Sequence, residues 1–225
     1  MFGALIVAAG SGKRMNSDIN KQFIEIDKKP ILIWTIEAFY NNKNIDHIVI
    51  AIKKDEEEYI KTLLKKYRLE NIDISYGGCE RQDSIYNSLP YLKNDKFVLI
   101  HDGARPFITD EIINRCVENV RKFDCICVGV KAKDTIKIVD QNNNISNTTD
   151  RSLTWYAQTP QAFRYDIIKE AYSKAKVEEF VGTDDASLVE YMGYKVKMVE
   201  GSYENIKITT PEDLILGEAI LKKRH

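Results

Sequence analysis

Short apolar runs alternate along this chain with segments of helical period, and this alternation constrains the fold more than any other feature. ALIVAA at 4–9, HIVIAI at 47–52, FVLIH at 97–101 and CICVGV at 125–130 have the character of buried strands. Helical periods separate them, as in the Glu- and Lys-rich stretch at 55–67. Strands joined through helices form mostly parallel sheets that are covered on both faces. The pattern therefore predicts an α/β fold.

The rest of the chain continues this alternation with less regular spacing. A further short strand at 72–76 ends at Gly-Gly and is followed by a helical period to about residue 92. Thr109 precedes two acidic residues, and Thr-Pro-Glu-Asp at 210–213 is a strong helix start. The remaining predictions are helices that start at Pro30, at about Tyr165 and at about Asp184, and a strand at 194–199.

Residues 134–155 break the alternation. Two strand-like segments, 135–140 and 145–149, flank the polar stretch Gln-Asn-Asn-Asn, a composition typical of a β-hairpin with a polar turn. The segment has few apolar residues, so we expect an arm that projects from the body; the alternative is a hairpin folded back on its own subunit. Because no repeat, low-complexity tract or linker divides the chain, we predict one domain over residues 1–225 with this arm inserted.

Composition narrows the classes of partner. The 225 residues include 33 Lys and Arg against 34 Asp and Glu, a net charge of −1 that argues against nucleic acid. The longest apolar run has six residues, whereas a bilayer span needs roughly 20, and the amino-terminal residues lack the features of a secretory signal. The four cysteines and three histidines do not have the spacing of a zinc site. We therefore expect a cytoplasmic protein without membrane contact, structural metal or disulfide.

The sequence AAGSGKRM at 8–15 directly follows the first predicted strand. Glycines at such a position let backbone N–H groups approach a phosphate, and Lys13, Arg14 and Lys21 add positive charge. The alternative is a glycine turn with solvated basic residues. The spacing excludes the Walker loop, because the two glycines are only two residues apart, and Met15 breaks the dinucleotide fingerprint.

Three further segments fall near the ends of predicted elements, namely GGCERQDS at 77–84, HDGARP at 101–106 and ENIKIT at 204–209. In doubly wound folds the ligand lies beyond the carboxyl ends of the strands, so these segments can converge on one crevice. Taken singly, each is equally well explained as a turn with an ion pair. His101 by itself is more typical of a structural histidine, and we do not include it among the site residues.

Seven segments in a fixed order carry a family resemblance. They are AAGSGKRM with Lys21-Gln22, GGCERQDS, HDGARP, DTIK at 134–137, DRSLTWYAQTPQAF at 150–163, TDDAS at 183–187 and ENIKITTPEDL at 204–214. Together they resemble the 2-C-methyl-D-erythritol 4-phosphate cytidylyltransferases of the non-mevalonate isoprenoid pathway, over residues 4 to about 220.

Ribitol-5-phosphate cytidylyltransferases share the framework and are the alternative. Their first loop typically reads Ala-Gly-Gly, and Arg-Asn stands where this chain has Asp-Arg at 150–151, so the chain is more similar to the erythritol group. Two positions depart from the erythritol pattern. Cys79 replaces an acidic or small polar residue, which leaves one cytosine or ribose contact open, and Ile85 replaces a frequent Val.

The resemblance implies a Rossmann-like nucleotidyltransferase that transfers CMP from CTP to 2-C-methyl-D-erythritol 4-phosphate and releases pyrophosphate. It also implies Mg²⁺ as cofactor and a homodimer joined through the hairpin arm. The attacking phosphate monoester has a second pKa of about 6 and is mostly dianionic near neutral pH, so no general base is needed. The chemical difficulty is that two polyanions must meet and that negative charge builds up at the five-coordinate phosphorus. Positioned cations reduce both costs.

The resemblance also suggests roles for individual residues, with Thr135 and Arg151 reaching the site from the partner protomer. Arg81 is expected either to hold its loop or to bond the base, Asp102 to contact the ribose or a metal-bound water, and Arg105 to bind substrate phosphate or to form a structural ion pair. The catalytic candidates are Arg14, Lys21, Arg151 and Lys207; the nucleotide-binding candidates are Ala8, Ala9, Gly10, Gly12, Gly78, Arg81, Ser84 and Asp102; the polyol-phosphate candidates are Arg105, Thr135 and Thr159.

Two other functional classes fit the residues less well. A non-catalytic nucleotide-binding regulator would keep the glycine loop but has no need for Arg14, Lys21 and Lys207 together. A glycosyltransferase of similar topology would carry an Asp-x-Asp metal motif after a central strand, and HDGA at 101–104 lacks the second aspartate. The sequence therefore favours the cytidylyltransferase.

Overall fold

The structure is a computed structural model that describes residues 1–10 and 21–224, with only the backbone of Lys21. The β-branched and aliphatic runs identified in the sequence form strands, and several shorter strands accompany them. In chain order the strands are β1 (Phe2–Val7), β2 (Glu25–Ile26), β3 (Lys29–Pro30), β4 (His47–Ile52), β5 (Ile72–Tyr76), β6 (Phe97–Asp102), β7 (Cys125–Lys131), β8 (Lys137–Val139), β9 (Ile145–Thr148), β10 (Trp155–Arg164) and β11 (Lys197–Glu200).

Seven of these strands form the central sheet in the order β11-β7-β10-β6-β1-β4-β5. The pairs β11–β7, β6–β1, β1–β4 and β4–β5 are parallel, which confirms the mostly parallel sheet expected from the sequence. Strand β10 is antiparallel to both of its neighbours, β6 and β7. The sequence analysis assigns no strand to β10, because its polar residues and Pro160 argue against a central strand. The pairing of β10 with β7 changes register between Ala157 and Gln161, in the stretch that contains Pro160.

Helices cover both faces of the sheet, as the sequence predicts. The helices are α1 (Ile31–Tyr40), α2 (Glu57–Lys66), α3 (Arg81–Ser88), α4 (Asp110–Phe123), α5 (Tyr165–Val177), α6 (Asp185–Tyr191) and α7 (Pro211–Arg224). Alternate residues of each strand point to opposite faces: Ala4 and Ile6 of β1 pack on one side with α1, α2 and α4, and Leu5 packs on the other with α3, α5 and α6. Helix α7 adds a smaller cluster around Phe107.

Element boundaries differ from the predictions by a few residues. The helical period at 55–67 begins with a 3-10 turn, Lys54–Glu56, before α2, and the strand predicted at 194–199 forms at Lys197–Glu200. Thr109 is the N-cap residue of α4 as predicted, although its side chain makes no capping hydrogen bond. The start of α7 is more firmly tied, because the Asp213 carboxylate accepts hydrogen bonds from the backbone N–H groups of Thr209 and Thr210 at 2.8 and 2.9 Å.

The hairpin arm stands apart from the central sheet. Strands β8 and β9 form a two-stranded sheet of their own, and every residue of these two strands is exposed. This confirms a hairpin in the part of the chain predicted from its polar composition. Among the helices that the structure describes, none is both long enough and apolar enough to cross a membrane.

Candidate active site

A cavity of about 510 Å³ lies where the central strands end. Parallel strands bring their carboxyl ends to the same side of a sheet, so the loops that follow them meet there. Gly10 follows β1, Lys53 follows β4, Gly78 follows β5, and Asp102 ends β6; all four line the cavity together with Lys207. The glycine, GGCERQDS, HDGARP and ENIKIT segments therefore converge as the sequence predicts.

The loop after β5 is shaped by internal hydrogen bonds and by a close approach. The buried Ser84 hydroxyl accepts a hydrogen bond from the Gly78 N–H and donates one to the Glu80 carbonyl, both at 3.0 Å. A Cβ at Gly77 would overlap the side chain of Ala9, so the turn comes as near to the end of β1 as only glycine permits. The backbone of Gly78 and the side chain of Ser84 are thereby held on the cavity wall.

Asp102 is the centre of a charged cluster. Its carboxylate receives Lys207 Nζ at 2.8 Å, Arg81 Nε at 3.2 Å and Arg105 Nε at 3.5 Å. Burial by itself would raise the pKa of Asp102, but the three cations outweigh burial and hold the pKa well below its usual range. Asp102 is therefore ionised at any physiological pH, and it fixes three cations beside the cavity.

Arg81 is held on two sides. Its two Nη groups donate to the Asp185 carboxylate at 2.7 and 2.9 Å, while its Nε faces Asp102. The Tyr172 hydroxyl donates to the same Asp185 at 2.6 Å. Burial would lower the pKa of Arg81, yet the two carboxylates raise it well above its usual value. Of the two roles open for Arg81, this geometry favours holding its loop against α6 over bonding a base.

A second cavity of about 330 Å³ adjoins the first and shares Arg81, Asp102 and Lys207 with it. Arg105 and Thr159 line this second cavity. The Thr159 hydroxyl accepts a hydrogen bond from the Asp102 N–H at 3.1 Å, which ties β10 to the end of β6. The three cations that face this cavity, Arg81, Arg105 and Lys207, form a chemically suitable site for a phosphate monoester.

The sequence analysis does not single out Asn205, which links these residues. Asn205 is fully buried; its carbonyl accepts a hydrogen bond from Arg105 Nη1, and its Nδ2 donates to the Thr159 carbonyl, both at 2.9 Å. The signal available was its place in the motif that also carries Lys207. Gln22 and Lys53 also line the first cavity, although neither was among the predicted site residues. The sequence marks Gln22 only by its place beside Lys21, and Lys53 only by its place after the strand predicted at 47–52.

His101 has a structural environment. Its ring lies 5.0 Å from that of Phe39, and its nitrogens contact the Thr159 hydroxyl and the Arg105 carbonyl, each at 3.1 Å. Burial lowers its pKa to about 4. The ring is therefore neutral near pH 7 and supports the residues around it, which agrees with its exclusion from the predicted site residues.

The other predicted site residues fall into three groups. Ala8 is buried at the end of β1, where its N–H donates to the Ala51 carbonyl at 2.8 Å. Thr135 and Arg151 lie at the base of the arm and do not line either cavity of their own subunit; Arg151 Nη1 donates to the Lys133 carbonyl at 3.4 Å. Gly12, Arg14 and the side chain of Lys21 lie outside the described residues.

Comparison with known proteins agrees with the resemblance found in the sequence. A family model described as 2-C-methyl-D-erythritol 4-phosphate cytidylyltransferase (IspD) matches residues 2–223. A protein of that name from Clostridioides difficile (strain 630) is 54% identical over 98% of this chain and 94% of its own length. Another, from Clostridium novyi (strain NT), is 47% identical over 97% and 96%.

Solved structures agree in fold. A 4-diphosphocytidyl-2C-methyl-D-erythritol synthase from Anaerococcus prevotii DSM 20548 superposes with a TM-score of 0.89 at 39% identity, over 98% of this chain and 96% of that one. The 2-C-methyl-D-erythritol 4-phosphate cytidylyltransferase of Thermus thermophilus gives 0.80 at 27% identity, over 97% and 98%. The similarity thus covers the whole sheet, the arm and both cavities.

Proposed function

Because the chain belongs to the 2-C-methyl-D-erythritol 4-phosphate cytidylyltransferase family, we propose that the two adjoining cavities are its active site. The enzyme transfers CMP from CTP to 2-C-methyl-D-erythritol 4-phosphate and releases pyrophosphate, a step of isoprenoid biosynthesis. The relatives do not favour the ribitol alternative. One observation carries the location: the glycine loops and the cluster of Arg105, Asp102 and Lys207 face connected spaces.

In this proposal CTP occupies the first cavity. The backbone of Ala9 and Gly10, with Gly12, cradles the triphosphate, since N–H groups at a glycine turn are directed at anions. The Ala8 N–H is engaged by the Ala51 carbonyl, so Ala8 supports this turn from the end of β1. Gly78 and Ser84 bind the cytosine, and the hydrogen bond between them fixes the loop that faces the base. Asp102 lies beside both cavities, which suits a contact with the ribose.

The polyol phosphate occupies the second cavity. Arg105 and Lys207 supply positive charge. The Thr159 hydroxyl accepts a hydrogen bond from the Asp102 N–H and donates one to His101 Nδ1, so Thr159 shapes the wall beside the phosphate. One oxygen of the dianionic phosphate attacks the α-phosphorus of CTP, and the bond from that phosphorus to the β-phosphate oxygen breaks, so that pyrophosphate leaves with its electron pair. Because the nucleophile already carries its charge, holding two polyanions together in line is the principal task of the protein.

Arg14 and Lys21 are proposed to act on the transition state. Both follow Gly10 and Gly12 in the sequence, and negative charge at the transferring phosphorus is greatest when five oxygens surround it. Preorganised cations are most effective at that moment, because they need no reorganisation when the charge develops. Lys207, held by Asp102 on the wall of the first cavity, is proposed to assist them.

Mg²⁺ is the proposed cofactor, held mainly by phosphate oxygens of CTP, as is usual for this hard cation at nucleotide sites. The donor set fits a metal that arrives with the substrate: Asp102 is the buried carboxylate on the wall of the cavity, and three cations already share its oxygens. When bound, the ion supplies charge neutralisation to the triphosphate. Arg105, Lys207 and the glycine backbone perform the positioning.

We also propose a homodimer in which each arm completes the partner's site. The arm exposes Ile138, Val139, Ile145 and Leu153, each at least 48% accessible, although a hairpin of this size needs packing partners to be stable. Thr135 and Arg151, at the base of the arm, line neither of the two cavities of their own subunit. A two-fold exchange of arms would bring these two side chains to the polyol phosphate of the other subunit.

Subunit mixing tests the shared site. Arg151→Ala and Lys21→Ala proteins, each nearly inactive alone, should regain activity when their subunits exchange, because each mixed dimer contains one site with both residues intact. A mixture that forms heterodimers yet remains as inactive as its parents would show that each site is built within one chain.

Two broader proposals accompany the reaction. Residues 1–225 act as one nucleotidyltransferase domain, with the arm as an insertion. The cytoplasm is the proposed compartment, where CTP is available and where free thiols such as Cys79, Cys116, Cys125 and Cys127 remain reduced.

An assay of pyrophosphate release tests the assigned substrates directly. With 2-C-methyl-D-erythritol 4-phosphate we expect CTP to be used far better than ATP or GTP, because a site that hydrogen-bonds one base edge leaves its polar groups unpaired with another. Ribitol 5-phosphate should be a poor substitute. Comparable kcat/KM for ATP and CTP, or for the two polyol phosphates, would contradict the assignment.

A further inference from the structure

Lys53 lies where β4 leaves the sheet and enters the cavity wall. Strands β1 and β4 pair in parallel with Val7 opposite Ala51, and the same register continued by two residues sets Lys53 beside Ala9. Lys53 is half-buried and lines the first cavity along with Gly10 and other residues. A lysine therefore stands next to the loop assigned to the triphosphate, on the side away from Asp102.

The backbone of Lys53 is held in place by Glu56. One carboxylate oxygen of Glu56 accepts the Lys53 N–H at 3.3 Å and Gln22 Nε2 at 3.1 Å, and the Glu56 N–H donates to the Lys53 carbonyl at 3.1 Å. Gln22 is only 2% exposed, and the neighbouring Phe23 ring packs edge-on against Tyr59 of α2 at 4.8 Å. Residues 22–23, which follow the glycine loop, are thus fastened to the same short segment that presents Lys53.

The Lys53 ammonium group differs in its ion pairing from the three cations around Asp102. Arg81, Arg105 and Lys207 all contact the single Asp102 carboxylate. The ion pairs found within residues 1–10 and 21–224 do not include Lys53. Lys53 is half-buried, lines the proposed anion site and has no ion-pair partner in that part of the chain. Its ammonium group is therefore available to a phosphate, which lysine binds as a point charge.

We propose that Lys53 binds the terminal phosphates of CTP and, after transfer, the pyrophosphate product. This assignment rests on the proposed location of CTP in the first cavity. Lys53 is a binding residue whose contact persists from substrate to product, so it acts on affinity and contributes little to the charge that develops at the α-phosphorus. Glu56 is the positioning residue that keeps it at the wall.

The experiment compares Lys53→Gln with Lys54→Gln in the full-length protein. Lys54 is adjacent, exposed and outside the cavity lining, so its replacement makes the same change in net charge without touching the site. Titration calorimetry with Mg²⁺ and CTP should give a Kd about tenfold higher for Lys53→Gln, the size of one charge-assisted hydrogen bond at a partly exposed position. Lys54→Gln should stay within twofold of the unmodified protein.

Further binding and kinetic measurements identify which phosphates Lys53 contacts. Pyrophosphate should lose about as much affinity as CTP, whereas CMP, which has only the α-phosphate, should bind Lys53→Gln within twofold of normal. In steady state, KM for CTP should rise with kcat nearly unchanged, and Lys53→Arg should recover most of the affinity. Thermal denaturation of each variant establishes that the fold is retained.

The outcomes separate this inference from the assignment of the reaction. Equal CTP affinity in Lys53→Gln and Lys54→Gln would overturn the role of Lys53 while leaving the active site in place. An equal loss for CMP and CTP would also overturn it, since the contact would then be to the nucleoside or α-phosphate. Failure of the unmodified protein to bind CTP at all would instead contradict the proposed function.

Discussion

Strand β6 has a buried aspartate at each end, and the two aspartates are partnered in opposite ways. Asp102, at the carboxyl end, faces two arginines and a lysine. Asp95, just before the amino end, faces His47, whose Nδ1 lies 2.9 Å away, while His47 Nε2 lies 3.1 Å from Asp73. One end is thus charged at every physiological pH, whereas the other is a full ion pair only while the histidine is protonated.

The difference shows what each end of the sheet is for. Cations that never lose their proton are needed where polyanions must be bound at constant strength. The histidine cluster at the opposite end lines neither of the two active-site cavities, and it joins the starts of β4, β5 and β6. Substitutions at the carboxyl end should therefore change catalysis, and those at the amino end should change stability alone.

The largest effect is expected from Asp102→Asn. It leaves three cations without their central charge, and removal of one partner from a buried ion pair should lower the free energy of unfolding by about 3 kcal/mol. kcat/KM should fall as well, because Lys207 and Arg105 lose the group that orients them. Urea denaturation and pyrophosphate release measure the two quantities. A stability loss below about 1 kcal/mol would mean that solvent already screens the cluster.

Arg14→Ala and Lys21→Ala test catalysis at the same end. Each should lower kcat on the order of 100- to 1000-fold, the usual cost of one positioned transition-state donor, and should change KM for CTP much less. The amino-end variant His47→Asn serves as the control and should keep kcat within about twofold. If Arg14→Ala and Lys21→Ala raise KM while kcat stays within threefold, both residues bind the ground state.

The contribution of His47 to stability should depend on pH. Burial by itself would lower its pKa, but the hydrogen bonds to Asp95 and Asp73 outweigh burial and raise the pKa above its ordinary value. The resulting stabilisation is complete below about pH 6.5 and disappears as pH rises through the folded-state pKa. His47→Asn should therefore cost about 1–2 kcal/mol at pH 6 and less at pH 9. Chemical denaturation at both pH values measures this, and a cost that grows with pH would contradict it.

Asp73→Asn should have the smallest effect. The Asp73 side chain is 58% exposed, whereas that of Asp95 is 1% exposed, although both contact His47. An exposed ion pair is worth little, so we expect a loss below about 0.5 kcal/mol at pH 6. Asp95→Asn, measured in the same denaturation series, should cost clearly more. Equal losses would show that burial does not distinguish the two partners.

The sequence predicted most of the elements because their signals are local. The apolar run of β1 and the Thr-Pro-Glu-Asp start of α7 are each encoded within a few adjacent residues. Strand β10 has no such signal. Its polar residues and Pro160 resemble a loop, and it becomes a central strand only because β6 and β7 lie on both sides of it.

The same division holds for the active site. The glycine spacing, the basic residues of the first loop and the ordered motifs were sufficient to predict the family and the strand-end location. The role of Arg81 was left open by the sequence, since its partner Asp185 is 104 residues away. Asn205 and Lys53 were missed for a related reason, because their importance comes from neighbours that only folding supplies.

The sequence by itself therefore determined the element types, the α/β class and the polar hairpin, all of which depend on residue type and short spacing. Its ordered motifs also resemble a family, and that resemblance implied the reaction. Only the tertiary structure decided which charges are paired, which are free to meet a phosphate and which titrate. Those properties depend on burial and on distances of about 3–4 Å between groups far apart in the chain, because removal of water is what makes a charge pair strong.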